Sequence, residues 1–324
     1  MYLITGAAGF IPSALVSYLN AQGITELILV DDFVHYQDKT PNLLNKQFTQ
    51  KIERNDFFAV WDKERWPLKG VYHLGARTDT TESDKAIFDE LNREYSREIW
   101  QRCTVQRIPL VYASSAATYG LGEHGFVDSH EVVKQLEPLN EYGRSKNDFD
   151  HWVLEQGGTT PPAWYGLKFF NVYGPNEYHK GRMASVVYHT FRQVRGTGGM
   201  KLFRSHRDDV ADGQQSRDFI YVEDLCKVMH WLMSEQPANH GLYNLGTGTA
   251  RPFMDLARAT FAAMGVEENI SFIDTPADIR DTYQYFTEAD MSKLRAAGFT
   301  DEFTSLEEGV RRYVENYLLP GDYY

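Results

Sequence analysis

The sequence predicts an α/β protein of the Rossmann type, with a doubly wound parallel sheet and a smaller, interleaved C-terminal lobe. Two observations carry this prediction. An apolar run, a glycine turn, an amphipathic helix and a second apolar run follow one another within about thirty residues, which is the size of a βαβ unit. The same alternation then recurs along the chain, and alternating strands and helices are typical of a doubly wound sheet.

The predicted strands are continuous apolar runs, as expected for parallel strands that are buried on both faces. In the first half of the chain they occupy residues 2–5, 27–30, 71–74, 109–113 and 164–170. Helices are predicted between them over residues 10–19, 83–106 and 142–155. Strands and helices therefore alternate as a parallel sheet requires.

The amino-acid composition changes after Asn171. Glycine, histidine, arginine and aspartate crowd residues 174–217, which predicts long loops around one helix near residues 184–195. Alternating elements resume near 219–233, 242–245, 252–264 and 271–274, and a final helix is predicted near 305–318.

Composition limits the classes of function. The 324 residues carry a formal net charge of −12, so a nucleic-acid partner, which needs a basic face, is not expected. The two cysteines, Cys103 and Cys226, are far apart and are expected to be buried apolar residues in a reducing compartment. The first 25 residues have no basic n-region and are not apolar enough to span a bilayer, so no membrane association and a cytoplasmic location are expected.

The turn after the first strand reads Gly6-Ala-Ala-Gly9-Phe-Ile-Pro12. Glycine is needed where the backbone turns tightly and a pyrophosphate approaches the main chain, and the helix N-terminus then holds the phosphate charge. Asp31 and Asp32 close the second strand, where a carboxylate can accept hydrogen bonds from ribose hydroxyls. These features predict a dinucleotide site, and an ordinary βα turn is the alternative.

Two details of this site affect how tightly a dinucleotide is expected to bind and which dinucleotide it is. Pro12 stands where a third glycine is usual; proline is tolerated in a first helical turn, but its ring fills space near the dinucleotide, which predicts weaker or shifted binding. Asp31 and Asp32 favour NAD, because a 2′-phosphate would meet two negative charges, and Lys39 offsets part of that effect.

A tyrosine, a lysine and a serine form the candidate catalytic set. Tyr142 and Lys146 lie four residues apart, hence on one face of a helix, and residues 110–115 are predicted as a strand that runs into a serine pair, Ser114 and Ser115. A free tyrosine has a pKa of about 10, and a nearby cation favours the phenolate. A serine at the carboxyl end of the sheet can orient a hydroxyl while the tyrosine exchanges its proton. A solvated helix face is the alternative, since this tyrosine–lysine spacing also occurs by chance.

Several longer segments carry a resemblance to a known family. They are residues 112–120 (YASSAATYG), 170–175 (FNVYGP), 179–185 (HKGRMAS), 217–222 (RDFIYV), 243–248 (YNLGTG) and 286–298 (FTEADMSKLRAAG). In these segments the chain resembles the extended short-chain dehydrogenases/reductases, and among them the nucleotide-sugar epimerases that act at C6 of an ADP-heptose. The resemblance covers nearly the whole chain and is weakest over residues 33–70 and 204–216.

The resemblance implies transient oxidation of a sugar carbon to a ketone and hydride return to the opposite face, supplying heptose for the lipopolysaccharide inner core. Tyr142 would handle the proton on one face and Lys180 on the other, with Ser115 holding the hydroxyl and Lys146 beside Tyr142. The resemblance implies no metal ion. The dinucleotide, expected to be NADP in this family, would contact Gly6, Gly9, Phe10, Ile11, Asp31, Asp32, Lys39, Leu74, Gly75, Ala76, Lys146 and Val172. The ADP-heptose would contact Asn171, Lys180, Arg182, His189, Phe203, Arg217 and Tyr283.

The resemblance also implies an organisation and an assembly. Residues 1–170 would form the dinucleotide domain with a returning segment at about 218–250, and residues 171–217 and 251–324 the sugar-nucleotide lobe. A homo-oligomer, a pentamer by family resemblance, is expected. Both ligands are anionic, so a locally positive cleft is expected within the acidic chain, formed by Lys39, Lys146, Lys180, Arg182 and Arg217.

Two further features of the sequence depart from the family pattern, and there are three alternative functions. The family commonly has asparagine where Asp32 stands, and the segment from Arg204 to Ser216 is longer and more acidic than the family's loop. A 4,6-dehydratase is disfavoured, because Ala116 and Ala117 follow Ser115 where that class has an Asp-Glu pair. A UDP-sugar 4-epimerase is the nearest alternative, and a non-catalytic dinucleotide-binding protein that kept the fold is the alternative from another class.

Overall fold

The computed structural model describes residues 1–280 and 283–324. Its strands are β1 (Tyr2–Thr5), β2 (Leu27–Asp31), β3 (Gln50–Glu53), β4 (Gly70–His73), β5 (Leu110–Ser115), β6 (Trp164–Phe169), β7 (Asn171–Tyr173), β8 (Met200–Phe203), β9 (Ser216–Tyr221), β10 (Gly241–Leu245), β11 (Ala250–Pro252) and β12 (Ile270–Ile273). Its helices are α1 (Phe10–Ala21), α2 (Phe57–Glu64), α3 (Lys85–Phe88), α4 (Tyr95–Gln106), α5 (His130–Val133), α6 (Glu141–Leu154), α7 (Val186–Thr197), α8 (Val222–Glu235), α9 (Phe253–Met264), α10 (Ala277–Arg280), α11 (Ser292–Ala296) and α12 (Leu306–Tyr313).

Shorter helical segments complete the chain. Three 3-10 segments lie at Gln37–Leu43, Ala116–Tyr119 and Tyr178–Met183, and π-helical turns at Asp89–Glu94 and Val314–Leu318 continue α3 and α12. Among the described residues, no helix is both long and apolar enough to cross a bilayer.

The central sheet has seven strands in the order β10-β6-β5-β4-β1-β2-β3, and each neighbouring pair is parallel. The order reverses on either side of β1, which creates a crevice at the carboxyl ends of the strands where doubly wound folds bind ligands. All five residues of β2 are buried, because helices cover both faces of the sheet. The predicted Rossmann-type fold is confirmed.

The C-terminal half adds two small sheets. Strands β7, β9 and β11 form one, with β9 pairing parallel to β7 and antiparallel to β11, and strands β8 and β12 form the other. A separate apolar cluster lies under the second sheet: Val194, Met200, Leu202, Met254, Ala257 and Phe261. Because this cluster is separate from the main core, we propose that the chain divides into a dinucleotide domain and a substrate lobe.

Some elements were not predicted. Strand β3 and helix α2 lie in the segment where the resemblance is weakest, and β3 buries only Ile52, so it shows no apolar run. Strand β8 lies within the stretch predicted as loops, and it pairs with the predicted strand near 271–274. Cys103 and Cys226 are fully buried and free, as expected, and burial raises the pKa of both thiols.

Candidate active site

A cleft of about 950 Å³ opens at the carboxyl ends of β1, β2, β4, β5 and β6 and continues into the substrate lobe. Nineteen of the residues predicted from the sequence line it: Gly6, Gly9, Phe10, Ile11, Asp31, Lys39, Leu74, Gly75, Ala76, Ser115, Tyr142, Lys146, Asn171, Val172, Lys180, His189, Phe203, Arg217 and Tyr283. The predicted residues therefore come together in one cavity, and the exceptions are Asp32 and Arg182.

The glycine turn has the geometry of a dinucleotide cradle. Gly6 adopts φ +68°, and a Cβ added there would lie 2.6 Å from the Gly75 Cα. The Gly9 N–H donates to the Gly6 carbonyl at 2.8 Å, and α1 begins at Phe10. The ends of β1 and β4 thus approach each other through two glycines beside a helix N-terminus, which fits the binding of a pyrophosphate.

Pro12 occupies the third position of α1 and is buried. A proline in the first turn costs no intrahelical hydrogen bond, because its N–H would have no partner there. The ring lines the cleft and lies against Gly9, with its Cδ 3.7 Å from the position of an added Gly9 Cβ. The predicted effect of this ring on dinucleotide binding stays a prediction.

The two acids after β2 have different partners. Asp31 accepts hydrogen bonds from the Ala8 N–H at 2.8 Å and the Asp32 N–H at 2.7 Å, and its carboxylate lies 3.8 Å from the Lys39 ammonium. The Asp32 carboxylate does not line the cleft; it binds the Arg54 guanidinium at 3.0 Å and His35 at 2.7 Å. Burial acts to raise the pKa of Asp32, but the His35 hydrogen bonds and the Arg54 charge outweigh it and lower the pKa.

Ser115 and Tyr142 are positioned by local capping. Ser115 is the N-cap of the 3-10 segment Ala116–Tyr119, and its Oγ accepts from the Ala117 N–H at 3.1 Å. Asn140 caps α6 by accepting from the Gly143 N–H at 2.8 Å. A Cβ at Gly143 would lie 2.8 Å from the Ala117 carbonyl oxygen, so glycine permits the start of α6 to approach the segment that Ser115 caps.

The ionisation of Tyr142 and Lys146 follows from burial. Burial raises the pKa of Tyr142, and a hydrogen bond with the Ser115 side chain opposes this. Burial lowers the pKa of Lys146 to about 8, and the charge of Asp150, one helical turn further on, opposes that shift. The Lys146 Nζ donates to the Ala113 carbonyl at 2.8 Å, so its ammonium is fixed at the end of β5.

Lys180 lines the cleft from a different element, the 3-10 segment Tyr178–Met183. Its Nζ lies 5.4 Å from the centre of the Phe10 ring at the start of α1. Burial lowers the pKa of Lys180, and the buried Glu177 carboxylate opposes this. A lysine with a lowered pKa reaches its neutral, proton-accepting form more readily than a free lysine.

The far end of the cleft is aromatic and cationic. The Arg217 guanidinium is buried, donates to the Ser216 and Gln284 carbonyls, and lies 5.5 Å from the Tyr283 ring centre. The Phe203 ring meets Tyr283 edge to face with centres 6.3 Å apart. Such a set can stack on a flat base and hold a phosphate charge.

Arg182 differs from the other predicted substrate contacts. Its side chain is 66% exposed and lies 3.4 Å from the Asp79 carboxylate, outside the lining of the cleft. Arg204, at the start of the acidic loop, lies 3.8 Å from Asp212 and 3.7 Å from Asp274 and also lies outside the lining. Both arginines are therefore engaged by acids in the chain.

Arg54 is the most informative residue that sequence reasoning missed. It lines the cleft directly after β3, next to the acids that close β2. The sequence carries no clear signal for it, because β3 shows no apolar run. Only the strand order places a residue that follows the third strand beside the end of the second. Gln193, Lys201, Gln215 and Phe253 also line the cleft and were not predicted.

The cleft is locally positive, as expected. Its described lining contains seven lysines and arginines but only three acids, all aspartates, in a chain with a net charge of −12. This balance suits anionic ligands such as dinucleotides and nucleotide sugars. Among the described residues, no three His, Cys, Asp or Glu side chains are grouped to hold a metal ion.

A chain of buried hydrogen bonds joins the dinucleotide cradle to α6. The Thr5 Oγ1 accepts from the Leu74 and Gly75 N–H groups and therefore donates to the His73 Nδ1, 2.7 Å away. The His73 Nε2 then donates to the Ser96 Oγ at 2.8 Å, and Ser96 donates to the Asn92 carbonyl. The Asn92 amide donates to Ser145 in α6 at 2.9 Å. This chain requires neutral His73, and burial lowers the pKa of His73 to about 3.

Known proteins are similar to this chain in sequence. The family model for the NAD dependent epimerase/dehydratase family matches residues 2–246. An ADP-L-glycero-D-manno-heptose-6-epimerase from Fusobacterium nucleatum is 43% identical over 334 residues, covering 100% of both chains.

Two solved structures share the fold. The Helicobacter pylori ADP-L-glycero-D-manno-heptose-6-epimerase has a TM-score of 0.80 at 24% identity, covering 97% of this chain and 95% of its own. The UDP-N-acetylglucosamine 4-epimerase of Methanobrevibacter ruminantium has a TM-score of 0.82 at 20% identity, covering 98% of both chains. The fold is therefore common to epimerases of different substrates.

Proposed function

The chain belongs to the NAD dependent epimerase/dehydratase family, and we propose that it epimerises ADP-D-glycero-β-D-manno-heptose to ADP-L-glycero-β-D-manno-heptose at C6. One observation carries this proposal in the structure. Tyr142 on α6 and Lys180 on the Tyr178–Met183 segment line the same cleft from two different elements, beside the glycine cradle. An epimerase that works by oxidation and reduction needs a proton-handling group for each face of the reacting carbon, and the two residues supply them.

A dinucleotide would be held by the Gly6–Gly9 turn and Gly75, and it would supply the hydride chemistry for oxidation at C6 and reduction from the opposite face. The chain supplies the proton transfers. Ser115 holds the C6 hydroxyl, one of Tyr142 and Lys180 accepts its proton during oxidation, and the other donates a proton to the new alkoxide after the face is exchanged. Lys146, held by the Ala113 carbonyl, keeps a positive charge near Tyr142 and stabilises its phenolate.

We infer that the dinucleotide is NADP. Asp31 and Asp32, which favour NAD when the sequence is considered alone, each have a cationic partner in the structure: Lys39 at 3.8 Å and Arg54 at 3.0 Å. Both cations line the cleft, whereas Asp32 does not. Their charges offset the two carboxylates and leave two donors beside the end of β2, where a 2′-phosphate lies in dinucleotide folds.

We also infer an assembly and a compartment. A homo-oligomer, a pentamer by family resemblance, acting in the cytoplasm on heptose for the lipopolysaccharide inner core would fit a biosynthetic epimerase. Native mass spectrometry of the purified chain tests the subunit number.

The direct test of function is NMR of the reaction. Purified protein is incubated in D₂O with NADP and ADP-D-glycero-β-D-manno-heptose, and the C6 signals are followed. We expect inversion at C6 with the original hydrogen retained, because the hydride leaves and returns without entering solvent. Absence of inversion with dinucleotide bound contradicts the proposal, and deuterium at C6 contradicts the oxidation–reduction route. Interconversion of UDP-glucose and UDP-galactose instead would identify the 4-epimerase alternative.

A further inference from the structure

A fully buried ion pair lies directly behind the catalytic set. The Asp150 carboxylate on α6 and the Lys168 ammonium on β6 are 2.7 Å apart, and both side chains are 0% exposed. Neither residue lines the cleft. Two buried charges are costly to desolvate, and an apolar pair of similar volume is commonly as stable. Stability alone therefore does not account for this pair.

The pair is connected to Ser115 from both sides. Asp150 accepts hydrogen bonds from the Ser114 Oγ at 2.6 Å and the Tyr112 hydroxyl at 3.0 Å, on the same strand as Ser115. Lys168 donates to the Thr118 Oγ1 at 2.8 Å, and Thr118 donates to the Ser115 carbonyl at 2.8 Å. The backbone before and after the Ser115 side chain is thus held by the two members of one ion pair.

The same pair is connected to Lys146. Asp150 lies four residues after Lys146 on α6, so the two side chains share one helix face. Lys146 in turn donates to the carbonyl of Ala113, two residues before Ser115. The ion pair, the strand end and the lysine therefore link α6, β5 and β6.

We propose that Asp150 and Lys168 are positioning residues, whose ion pair holds the end of β5 against α6 and thereby aligns Ser115 with the Lys146 ammonium. This inference rests on the proposed function for the reaction that the alignment serves. Asp150 supplies the negative charge that keeps Lys146 protonated, and Lys168 limits the strength of that charge. The titratable groups around the set are His73 on β4, Tyr112 on β5, Tyr119 on the following 3-10 segment, His130 on α5 and Tyr142 on α6.

The charges of Asp150 and Lys168 shift the pKa of Lys146 in opposite directions. A loss of stability alone would not produce two opposite shifts. In Asp150→Asn the anion is lost, so the pKa of Lys146 falls below its value of about 8. In Lys168→Met the anion is left uncompensated, so the pKa of Lys146 rises. Each displacement is expected to be about one pH unit. The double variant D150N/K168M carries neither charge, so its Lys146 pKa is expected to lie between those of the two single variants. It also provides a neutral pair if a single variant fails to fold.

The experiment measures the Lys146 titration and the reaction in parallel. Lysine-selective ¹³C labelling follows the Lys146 ε-carbon against pH in the full chain, with the signal assigned by its loss in Lys146→Met. The pH dependence of kcat is then measured for C6 inversion. We expect the basic limb of kcat to move down in Asp150→Asn and up in Lys168→Met, kcat to fall about tenfold or more in each, and KM to change little.

Asp224→Asn is the matched control, because Asp224 is a buried carboxylate that accepts from the Thr304 N–H at 2.8 Å and does not line the cleft. It is expected to lower thermal stability without moving the Lys146 titration. Equal displacements in the same direction for both single variants, or a kcat like that of wild type in the double variant, would overturn the inference. The titration needs no substrate, so a wild-type chain that fails to invert C6 contradicts the proposed function, while the titration still tests the ion pair independently.

Discussion

The two halves of the cleft are constructed differently. In the dinucleotide half, main-chain contacts dominate: Gly6 packs on Gly75, and Asp31 binds the Ala8 N–H. In the substrate half, side chains on a 3-10 segment and short strands, such as Lys180, Phe203 and Arg217, form the surface. The first half is therefore determined by backbone geometry and tolerates little change. The second half is determined by side-chain identity, so relatives with this fold can act on different sugars.

The largest effect is expected where the two halves meet. Tyr142→Phe and Lys180→Met should each lower kcat about 10²–10⁴-fold, because each removes the proton-transfer group for one face. Dinucleotide affinity, measured by fluorescence titration, should change little. Tyr95→Phe and Lys201→Met are the controls: both residues line the cleft, and the Tyr95 hydroxyl has no hydrogen-bond partner among the described residues. Near-normal turnover by either catalytic variant would remove that residue from the two-base assignment.

A pair of glycines tests the difference between the halves directly. Gly6 and Gly181 both have positive φ, +68° and +53°, so alanine is strained at either position. An added Cβ at Gly6 meets the Gly75 backbone, whereas at Gly181 no described heavy atom lies within 4 Å. Gly6→Ala should weaken dinucleotide binding about 100-fold, and Gly181→Ala should leave it nearly unchanged while lowering kcat. Calorimetric titration with NADP measures both, and equal losses would show that the halves are not distinct.

His73 should make the dinucleotide half sensitive to acid. His73 has a pKa of about 3 in the folded chain and about 6.5 when unfolded. The unfolded state therefore binds the extra proton, and stability is lost as pH falls from about 6.5 towards 3. At pH 4.5 the loss is about 2–3 kcal/mol relative to pH 7. Urea unfolding at both pH values should show a smaller difference in His73→Asn than in wild type, and the exposed His124→Asn should behave as wild type.

Arg54 tests which dinucleotide this half prefers. Arg54→Ala should weaken NADP binding about tenfold, because a charged donor to the 2′-phosphate is lost. NAD binding should be unaffected or improved. Lys51→Ala on β3, the strand that Arg54 follows, is the control, since Lys51 is exposed and does not line the cleft. A parallel loss of both affinities in Arg54→Ala would contradict the preference for NADP.

The smallest effect is expected at Pro12. Pro12→Gly should raise dinucleotide affinity about threefold, because the ring no longer occupies space beside the glycine turn. The same titration measures it. Unchanged affinity would mean that the ring fits the bound dinucleotide as well as a glycine does.

The site features that could be predicted from the sequence are those formed by residues close together in the chain. The glycine turn, the strand end at Ser115 and the Tyr142–Lys146 spacing lie within single elements, and their chemistry follows from a few neighbouring residues. Lys180 and the substrate-lobe residues came only from family resemblance, because a lysine on a loop carries no periodic signal. The confirmed part is the Rossmann-type fold, which the alternating apolar runs specify.

The features that were not predicted depend on contacts between residues that are far apart in the sequence. Arg54 was missed because β3 buries a single residue and shows no apolar run. Asp32 and Arg182 line no part of the cleft because Arg54 and Asp79 engage them, 22 and 103 positions away. The Asp150–Lys168 pair joins a helix to a strand across 18 positions. Such pairings follow from packing, which a single sequence does not display.

The two buried cysteines make the chain well suited to optical work. Neither Cys103 nor Cys226 presents a thiolate to solvent, since both are fully buried. A cysteine introduced at Ile273, which is 41% exposed and pairs in register with Phe203, would be the single reactive thiol in the folded protein. A fluorophore attached there would report on the nucleotide end of the cleft, and the native residues would need no prior removal.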